Sequence, residues 1–377
     1  MTTIQQTMAL LLALASLSAT AQQTDTPPTL EKMKGSYVII NSKVYEGQSS
    51  VSEVRGMTIA PTADDSLQLS NFYMKGGLDF KAGYNAATGN ISIPAGTKVF
   101  GYADGQGSMV FLYNWDDREQ TVTARPVVYR YRGQGQWQTT GTVVLLATTA
   151  GSTTATPYIF SQGSRIALAN ATTNNTTYDG DGVRFEESRP SYVEWGRDSI
   201  TVYNLLQKDS YGYGCFLSFS YDEKAGTAYS APALIGQATA IDYPYKALTG
   251  CDYDDQAHKP AAISHAGTDR EGIIDASIDL QKGILSIAPM AVWPAKYDGN
   301  GWQLDLDRYY EVEEAVTVTF TPGNVSSITR PTTAAPVITT YYTLDGRPAA
   351  HPQKGTPVIK KIITAGKEVK TEKVLIK

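Results

Sequence analysis

Apolar and polar residues alternate over residues 65–72 in the manner of a half-buried β-strand. Leu67 and Leu69 are apolar, their neighbours are polar, and side chains two apart on a strand share one face. Residues 84–94 follow with a polar turn that contains Gly89 and then a second apolar alternation. A hairpin loop with a left-handed residue favours glycine at that position. The pattern therefore predicts a strand followed by a β-hairpin.

Both segments recur later in the chain. Residues 198–205 repeat the Asp-Ser-apolar start of residues 65–72, and residues 221–226 repeat the turn at 84–89. A third, weaker copy at residues 278–289 is again a polar turn that ends in glycine before an apolar alternation. An internal repeat of this length predicts two domains of similar fold.

Composition agrees with an all-β protein of that size. The 377 residues exceed one ordinary core and indicate about two domains. Tyrosine (24) and glycine (33) are plentiful while only 18% of residues are charged, which favours strands and tight turns over helices. Short strands separated by turns suit either a barrel or a sandwich. We therefore expect two tandem antiparallel β-barrel or β-sandwich domains and a small C-terminal β tail.

Shifts in composition divide the chain into five predicted segments. These are a signal peptide at 1–21, a first β domain at 30–170, a second at 178–320, a linker at 321–339 and a tail at 340–377.

Three polar stretches are predicted to lie outside the sheets. Residues 148–156 and 170–177 are rich in small or polar residues and are expected to bracket a connector. Residues 241–270 carry many acidic residues and few apolar ones, so a long surface loop is expected there.

The first residues have the pattern of an export signal. A short apolar run at 8–17 precedes Ala-Thr-Ala at 19–21, a small-residue cleavage pattern that places the mature N-terminus at Gln22. No window approaches the ~20 apolar residues of a membrane helix, so no membrane span is expected. A net charge of −5 offers no basic field for nucleic acid.

The C-terminal residues carry the most specific motif of the chain. Tyr-Tyr-Thr-Leu-Asp-Gly-Arg at 341–347 is followed by a Lys-Gly segment at 352–360 and a terminal Lys-Val-Leu-Ile-Lys at 373–377. This resembles the sorting tail of proteins exported by the type IX (Por) secretion system of Bacteroidota, although it is shorter and Pro357 interrupts the middle strand. The resemblance implies contact with that export machinery and a secreted or outer-surface location. If the tail does not function as a sorting signal, the location would be periplasmic. The alternative to a sorting tail is a set of C-terminal strands that caps the second domain.

The two domains are also similar to calycin-like (lipocalin-like) secreted proteins of the same bacteria. The similarity rests on the Asp-Ser-apolar strand at 65–67 and on the Gly-x-apolar-Ser-Ile hairpin at 89–93. Some of those proteins adopt barrels, but the similarity leaves barrel and sandwich both open, and no site residues carry over from it.

Candidate chemistry is sparse, and the sequence predicts no cofactor and no catalytic residue. Asp252, Asp254 and Asp255 offer oxygen ligands for Ca²⁺, although their spacing is not that of an EF-hand. A solvated acidic loop is the other interpretation. Cys215 and Cys251 could form one disulfide in an oxidising compartment or remain free thiols.

Two pairings could in principle support catalysis. Cys251 could act with His258 or His265 as thiolate and base, although no local signature supports it. The acidic pairs Asp116-Asp117 and Glu186-Glu187 could contribute to a glycosidase, which needs two carboxyls across a cleft. Adjacent carboxylates on a strand point to opposite faces, so turn or surface roles are the simpler interpretation.

Aromatic residues give the functional hint, because tyrosine and tryptophan can stack on sugar rings or pack against protein. The first domain has a dense set of them, with core positions as the alternative: Tyr102, Tyr113, Trp115, Tyr129, Tyr131 and Trp137. We therefore expect a non-catalytic binding or adhesion protein whose partner is a host or dietary glycan or a surface protein. The alternative is an exported glycoside hydrolase.

The repeated Asp-Ser-apolar triplets suggest one modification. Ser66 and Ser199 fit the acceptor pattern resembling that of Bacteroidota O-glycosylation. The alternative is that Asp and Ser serve as ordinary turn residues before a strand.

Overall fold

The computed structural model is almost entirely β. It describes residues 26–43, 51–73, 76–102, 107–148, 156–196, 198–208, 213–237, 242–297, 302–321, 338–342, 357–363 and 369–375. The predicted signal peptide lies outside the described residues, as does most of the predicted linker.

The N-terminal half begins with a short 3₁₀ turn, Leu30–Met33, and continues with thirteen described strands. They are β1 (Gly35–Lys43), β2 (Val51–Pro61), β3 (Ser66–Ser70), β4 (Phe80–Asn85), β5 (Asn90–Ile93), β6 (Thr97–Gly101), β7 (Met109–Asp116), β8 (Thr121–Thr123), β9 (Val127–Gly133), β10 (Gln136–Thr139), β11 (Thr142–Thr148), β12 (Thr156–Gln162) and β13 (Arg165–Leu168).

Eight of these strands close into an antiparallel barrel, here called barrel A. The ladder runs β1-β2-β3-β4-β5-β9-β10-β13, and β13 pairs back onto β1. The other five form side sheet A, in the order β12-β11-β7-β6 with β8 paired to β7. Closure leaves the barrel with no sheet edge of its own, which settles the choice between barrel and sandwich in favour of the barrel.

Thirteen further strands follow. They are β14 (Ala171–Asp179), β15 (Arg184–Trp195), β16 (Ser199–Lys208), β17 (Tyr213–Asp222), β18 (Thr227–Ser230), β19 (Ala233–Gln237), β20 (Tyr245–Asp254), β21 (Lys259–Ile263), β22 (Ile274–Asp279), β23 (Ile284–Ile287), β24 (Met290–Tyr297), β25 (Trp302–Leu304) and β26 (Glu311–Phe320).

These strands repeat the topology of the first half. Barrel B runs β14-β15-β16-β17-β18-β22-β23-β26, and β26 closes onto β14. Side sheet B runs β19-β20-β24-β25 with β21 paired to β20. Strands are thus inserted after the fifth and the seventh barrel strand in both halves. The predicted repeat is confirmed, with β3 matching β16 at the Asp-Ser triplets.

One turn type recurs at the hairpins and explains the repeated polar segments. An Asp or Asn side chain accepts hydrogen bonds from the backbone N–H groups two and three residues later, and the fourth residue along has a left-handed backbone. Gly89 has φ 71°, and the third sequence copy ends in the equivalent Gly283 with φ 69°. The Asx residues that begin these turns are Asn85, Asp116, Asp222, Asp254 and Asp279.

Each barrel is filled by side chains rather than left hollow, as expected for eight strands. Barrel A encloses Tyr37, Leu67, Tyr129 and Trp137, all at most 1% exposed, and its core continues into side sheet A through residues such as Leu112. The core of barrel B is equally apolar over most of its length. Burial of these side chains supplies most of the stabilising free energy.

The barrels contact each other through the outer face of β13-β1-β2 in barrel A and the aromatic outer face of β15, β16 and β17 in barrel B. Ile40 and Val54 from barrel A pack with Tyr192, Tyr203 and Phe216. Their contact excludes water from a second, smaller apolar cluster between the barrels.

A charged pair crosses the same interface. Arg165 makes two hydrogen bonds to the Glu194 carboxylate, at 3.0 and 3.2 Å, and its guanidinium lies 5.0 Å from the centre of the Tyr203 ring. The Tyr203 hydroxyl donates to the same carboxylate at 2.9 Å. Two-point pairing and stacking of this kind is geometry that only arginine provides.

Two predicted non-sheet segments are strands instead. Residues 170–177, expected to lie outside the sheets and border a connector, form most of β14, because Thr173, Asn175 and Thr177 turn inward while the residues between them face out. Residues 241–270, expected to be a surface loop, contain β20 and β21. Every residue from Ala247 to Cys251 is buried, so β20 packs on both faces. Residues 170–177 lack the large apolar residues that usually reveal a strand, and residues 241–270 have few of them.

The C-terminal residues form a separate compact unit. Within it β27 (Ile338–Tyr342), β28 (Pro357–Ile363) and β29 (Val369–Leu375) make an antiparallel three-stranded meander, as predicted for the tail. Pro357 is the first residue of its strand, a position that proline tolerates. In the part of the chain that the structure describes, no helix is long and apolar enough to cross a bilayer.

The Arg165–Glu194 pair predicts measurable coupling between the barrels. We expect a double-mutant cycle of Arg165→Met and Glu194→Gln, with unfolding free energies measured in urea, to give a coupling energy of about 1 to 2 kcal/mol. The reason is that the pair is partly desolvated and bidentate. The exposed pair of Lys81 and Asp64 on barrel A is the control and should couple more weakly. Equal coupling for both pairs would contradict the interface described above.

Candidate functional site

A polar groove of about 390 Å³ lies on the outer face of barrel B, over the three adjacent strands β15, β14 and β26. Its volume falls within the range of small-molecule sites. Two cross-strand rows of outward side chains build it. One row is Ser188, Asn174 and Thr317, and the next is Glu186, Thr176 and Ala315.

A β-bulge in β26 shapes this groove. The register of β14 with β26 shifts after Thr176, so that Thr176 lies opposite Ala315 and Thr177 lies opposite Glu313. Glu314 is the extra residue, and such a bulge bends the strand locally. Ala315 has the smallest side chain of its row, and the other two members of that row, Thr176 and Glu186, are polar.

The groove lies on the face of barrel B that is equivalent, in the repeat, to the face through which barrel A contacts barrel B. In barrel A the outward Ile40 lies between Val54 and Arg165, and in barrel B the outward Asn174 lies between Ser188 and Thr317 at the matching positions. An apolar interface in one repeat is therefore a hydrogen-bonding surface in the other.

An aromatic cluster lies beside the groove, at Tyr178, two residues beyond Thr176 on β14. The Tyr178 ring stacks on His258 with 4.5 Å between ring centres and 7° between planes, and the Tyr253 hydroxyl is 2.9 Å from His258 Nδ1. Burial raises the pKa of Tyr253, and the Glu314 carboxylate raises it further. Arg184, paired across strands with Tyr178, forms an ion pair with Glu186 of the groove.

Behind the groove, the inward faces of the same strands carry a buried polar network. The Glu313 carboxyl accepts hydrogen bonds from Asn175 Nδ2 at 2.9 Å and Thr177 Oγ1 at 2.7 Å. Glu313 is 3% exposed, and burial followed by the nearby Glu311 carboxylate raises its pKa to about 7, against the opposing effect of its hydrogen bonds and of Arg189.

The structure does not bring the predicted aromatic residues together on a surface. Tyr129 and Trp137 are core residues of barrel A, where the Tyr129 hydroxyl lies 2.7 Å from Ser164 Oγ and Trp137 Nε1 donates to the Gly89 carbonyl at 2.7 Å. Three others are half-buried: Tyr113, Trp115 and Tyr131. Tyr131 packs on Trp137 with ring centres 5.2 Å apart. Tyr102, 41% exposed, packs on Phe100. Alternate positions on barrel strands face the core, which explains why Tyr129 and Trp137 are buried.

The candidate calcium ligands belong to a hairpin turn. Asp254 Oδ1 accepts hydrogen bonds from the backbone N–H groups of Gln256 and Ala257, at 2.9 and 3.0 Å, and these bonds lower the pKa of Asp254. Asp252 and Asp255 are exposed on either side of it. Among the described residues, no group of three or more acidic, His or Cys side chains could hold a metal ion.

Cys251 lies on β20 of side sheet B and is a buried free thiol, so it forms no disulfide with Cys215. Burial, with a contribution from Asp252, raises the pKa of the Cys251 thiol to about 12, which opposes the thiolate that catalysis would need. His258 is engaged with Tyr253, and His265 Nε2 is 2.6 Å from Asp275 Oδ2.

The acidic pairs have structural partners. Asp116 begins a hairpin turn, and Asp117 accepts a hydrogen bond from the Thr142 hydroxyl at 2.9 Å. Glu186 faces the groove while Glu187, on the opposite face of β15, forms an ion pair with Arg189. Ser66 and Ser199 are half-buried at the first positions of the matching strands β3 and β16.

Comparison of the chain with protein-family models, with curated proteins and with solved structures gave no match.

Sequence reasoning had missed the groove. Its strand residues at 174–176 fell in the predicted connector, since Asn-Asn-Thr has no apolar alternation. The signal that could have found it is the repeat itself, because aligning β14 with the clearly apolar β1 places Asn174 on Ile40.

The turn role of Asp254 predicts a stability effect without a metal effect. Asp254→Ala should lower the melting temperature by a few degrees, because two backbone N–H groups lose their acceptor. Adding Ca²⁺ or a chelator should leave the melting temperature of the unsubstituted chain unchanged. A Ca²⁺-dependent rise that Asp254→Ala abolishes would instead show an ion site.

Proposed function

We propose that this chain is a non-catalytic binding or adhesion protein that acts outside the cytoplasm and binds glycans through the groove on barrel B. The observation that supports the proposal is the set of side chains along the groove. Amide, hydroxyl and carboxylate groups of Asn174, Thr176, Ser188, Thr317 and Glu186 face outward from three adjacent strands.

These groups suit a hydroxyl-rich ligand. Asn and the hydroxyl residues can both donate and accept hydrogen bonds, while Glu186 accepts them. Sugar hydroxyls also donate and accept hydrogen bonds, so each sugar hydroxyl could bond to a side chain of one of the two rows. Because the side chains stand on a sheet rather than on a loop, the site needs little ordering on binding.

The alternative function, an exported glycoside hydrolase, has less support. That chemistry needs two carboxyls across an accessible cleft, one of them with a raised pKa. Among the described acids the pKa is raised at Glu313, and this side chain is buried inside barrel B, out of reach of a polysaccharide. Glu186, which does face the groove, is held by Arg184.

Export is the second part of the proposal. The apolar run with its Ala-Thr-Ala site at 19–21 supports secretion, and the three-stranded C-terminal meander supports a sorting role for the tail. The partner would then be a host or dietary glycan or a surface protein. Ser66 and Ser199 hold equivalent positions in the two barrels, which supports their proposed glycosylation.

The groove gives a direct test with the mature chain, residues 22–377. On a glycan array followed by calorimetry, we expect at least one glycan to bind. Asn174→Ala and Thr317→Ala should each weaken its affinity about 3- to 10-fold, the effect of one lost neutral hydrogen bond.

Thr58→Ala provides the matched control, because Thr58 is exposed on the outer face of β2 in barrel A. It should bind like the unsubstituted chain. Absence of any bound glycan, or equal affinities for all three variants, would refute the groove as a glycan site.

A further inference from the structure

The seam of barrel B, where its first strand β14 meets its last strand β26, is polar on the inside. Asn175 and Thr177 on β14 face Glu313 on β26, beside the bulge. At the matching level of barrel A, Asn41 accepts a hydrogen bond from Ser164 Oγ at 2.5 Å, and the next inward pair, Ile39 opposite Ile166, is apolar. The seam of barrel B therefore carries a buried acid where the seam of barrel A carries a neutral hydroxyl.

The hydrogen bonding at this seam is incomplete in one respect. Asn175 is 4% exposed, and its Nδ2 donates to Glu313 Oε2 at 2.9 Å and to the Leu205 carbonyl at 3.4 Å. Both donors therefore point at acceptors, which fixes the orientation of the amide. Asn175 Oδ1 is buried and, within the described part of the chain, has no hydrogen-bond partner. A buried acceptor without a donor is costly.

We propose that Glu313 carries a proton in the folded chain and donates it to Asn175 Oδ1, forming a proton-operated lock that closes barrel B. A carboxylic acid and a primary amide can pair through two hydrogen bonds at once. The first, Asn175 N–H to Glu313 Oε2, is present in the structure. The second, Glu313 Oε1–H to Asn175 Oδ1, supplies the donor that the amide oxygen needs. No atom other than the proton is exchanged with solvent.

The surrounding charges allow a neutral Glu313. Glu311, on the same face of β26, opposes a second negative charge beside it. Arg189 favours the ionised form, but its guanidinium also pairs with Glu187 and donates to the Leu205 carbonyl at 3.2 Å. Lys246 on β20 is buried with its ammonium 4.9 Å from the Tyr310 ring centre. On β24 the residue opposite Glu313 is the uncharged Met290.

The lock has a defined pH dependence. The pKa of Glu313 is raised from 4.5 to about 7 in the folded chain, so the folded state binds this proton more tightly than the unfolded state. The stability that the proton contributes is complete below about pH 4.5 and is lost as the pH rises through 7. Over that interval the unfolding equilibrium constant should rise as Glu313 loses its proton.

The test compares the mature chain with Glu313→Gln at a series of pH values. Glutamine keeps both hydrogen bonds to Asn175 but cannot ionise. Infrared difference spectra should show the C=O band of a protonated carboxylic acid at about pH 5.5 that disappears with a midpoint near pH 7 and is absent from Glu313→Gln. The melting temperature of the unsubstituted chain, relative to Glu313→Gln, should fall as the pH rises.

Glu186→Gln is the matched control, because Glu186 lies on the neighbouring strand but faces outward. It should retain the infrared band and the pH-dependent melting. The proposal fails if the band is missing at pH 5.5, if it persists in Glu313→Gln, or if both chains melt with the same pH dependence. These measurements use no ligand, so their outcome is independent of whether the groove binds a glycan.

Discussion

Closure of each sheet onto itself is the constraint on which the rest of this structure depends. A barrel strand has one face that is enclosed and one that is not, so inward positions must fill a fixed volume while outward positions can vary. Tyr37, Leu67 and Trp137 fill barrel A in this way. The paired termini, β1 with β13 and β14 with β26, remove the edges that would otherwise recruit other chains.

The outward faces explain how two copies of one fold came to differ. Barrel A packs the face containing Ile40 and Val54 against aromatic residues of barrel B, including Tyr203. On barrel B the matching positions are Asn174 and Ser188. The contact between the barrels is thus head-to-tail, and the face of barrel B that matches the contact face of barrel A is polar. That same face is the groove proposed to bind glycans.

The sequence predicted those parts of the fold well in which neighbouring residues alone determine the local structure. Alternation at Leu67 and Leu69, together with Asx-Gly turns such as the one ending at Gly89, identified strands, hairpins and the repeat. Residues 170–177 were misinterpreted because β14 has polar inward residues, and Asn175 is buried only by virtue of its partner Glu313. That partner lies far away in sequence, and local patterns do not contain it. The groove escaped detection for the same reason, since β15, β14 and β26 become neighbours only when the barrel closes.

Barrel closure is tested most directly by amide hydrogen exchange on the purified protein at mildly acidic pH. The account predicts that amides of β14 and β26 that bond across the seam exchange as slowly as those of the internal pair β16 and β17, with the same result for β1 and β13. Fast exchange along both seams, as at the edges of an open sandwich, would contradict the closed barrels and the arguments that depend on them.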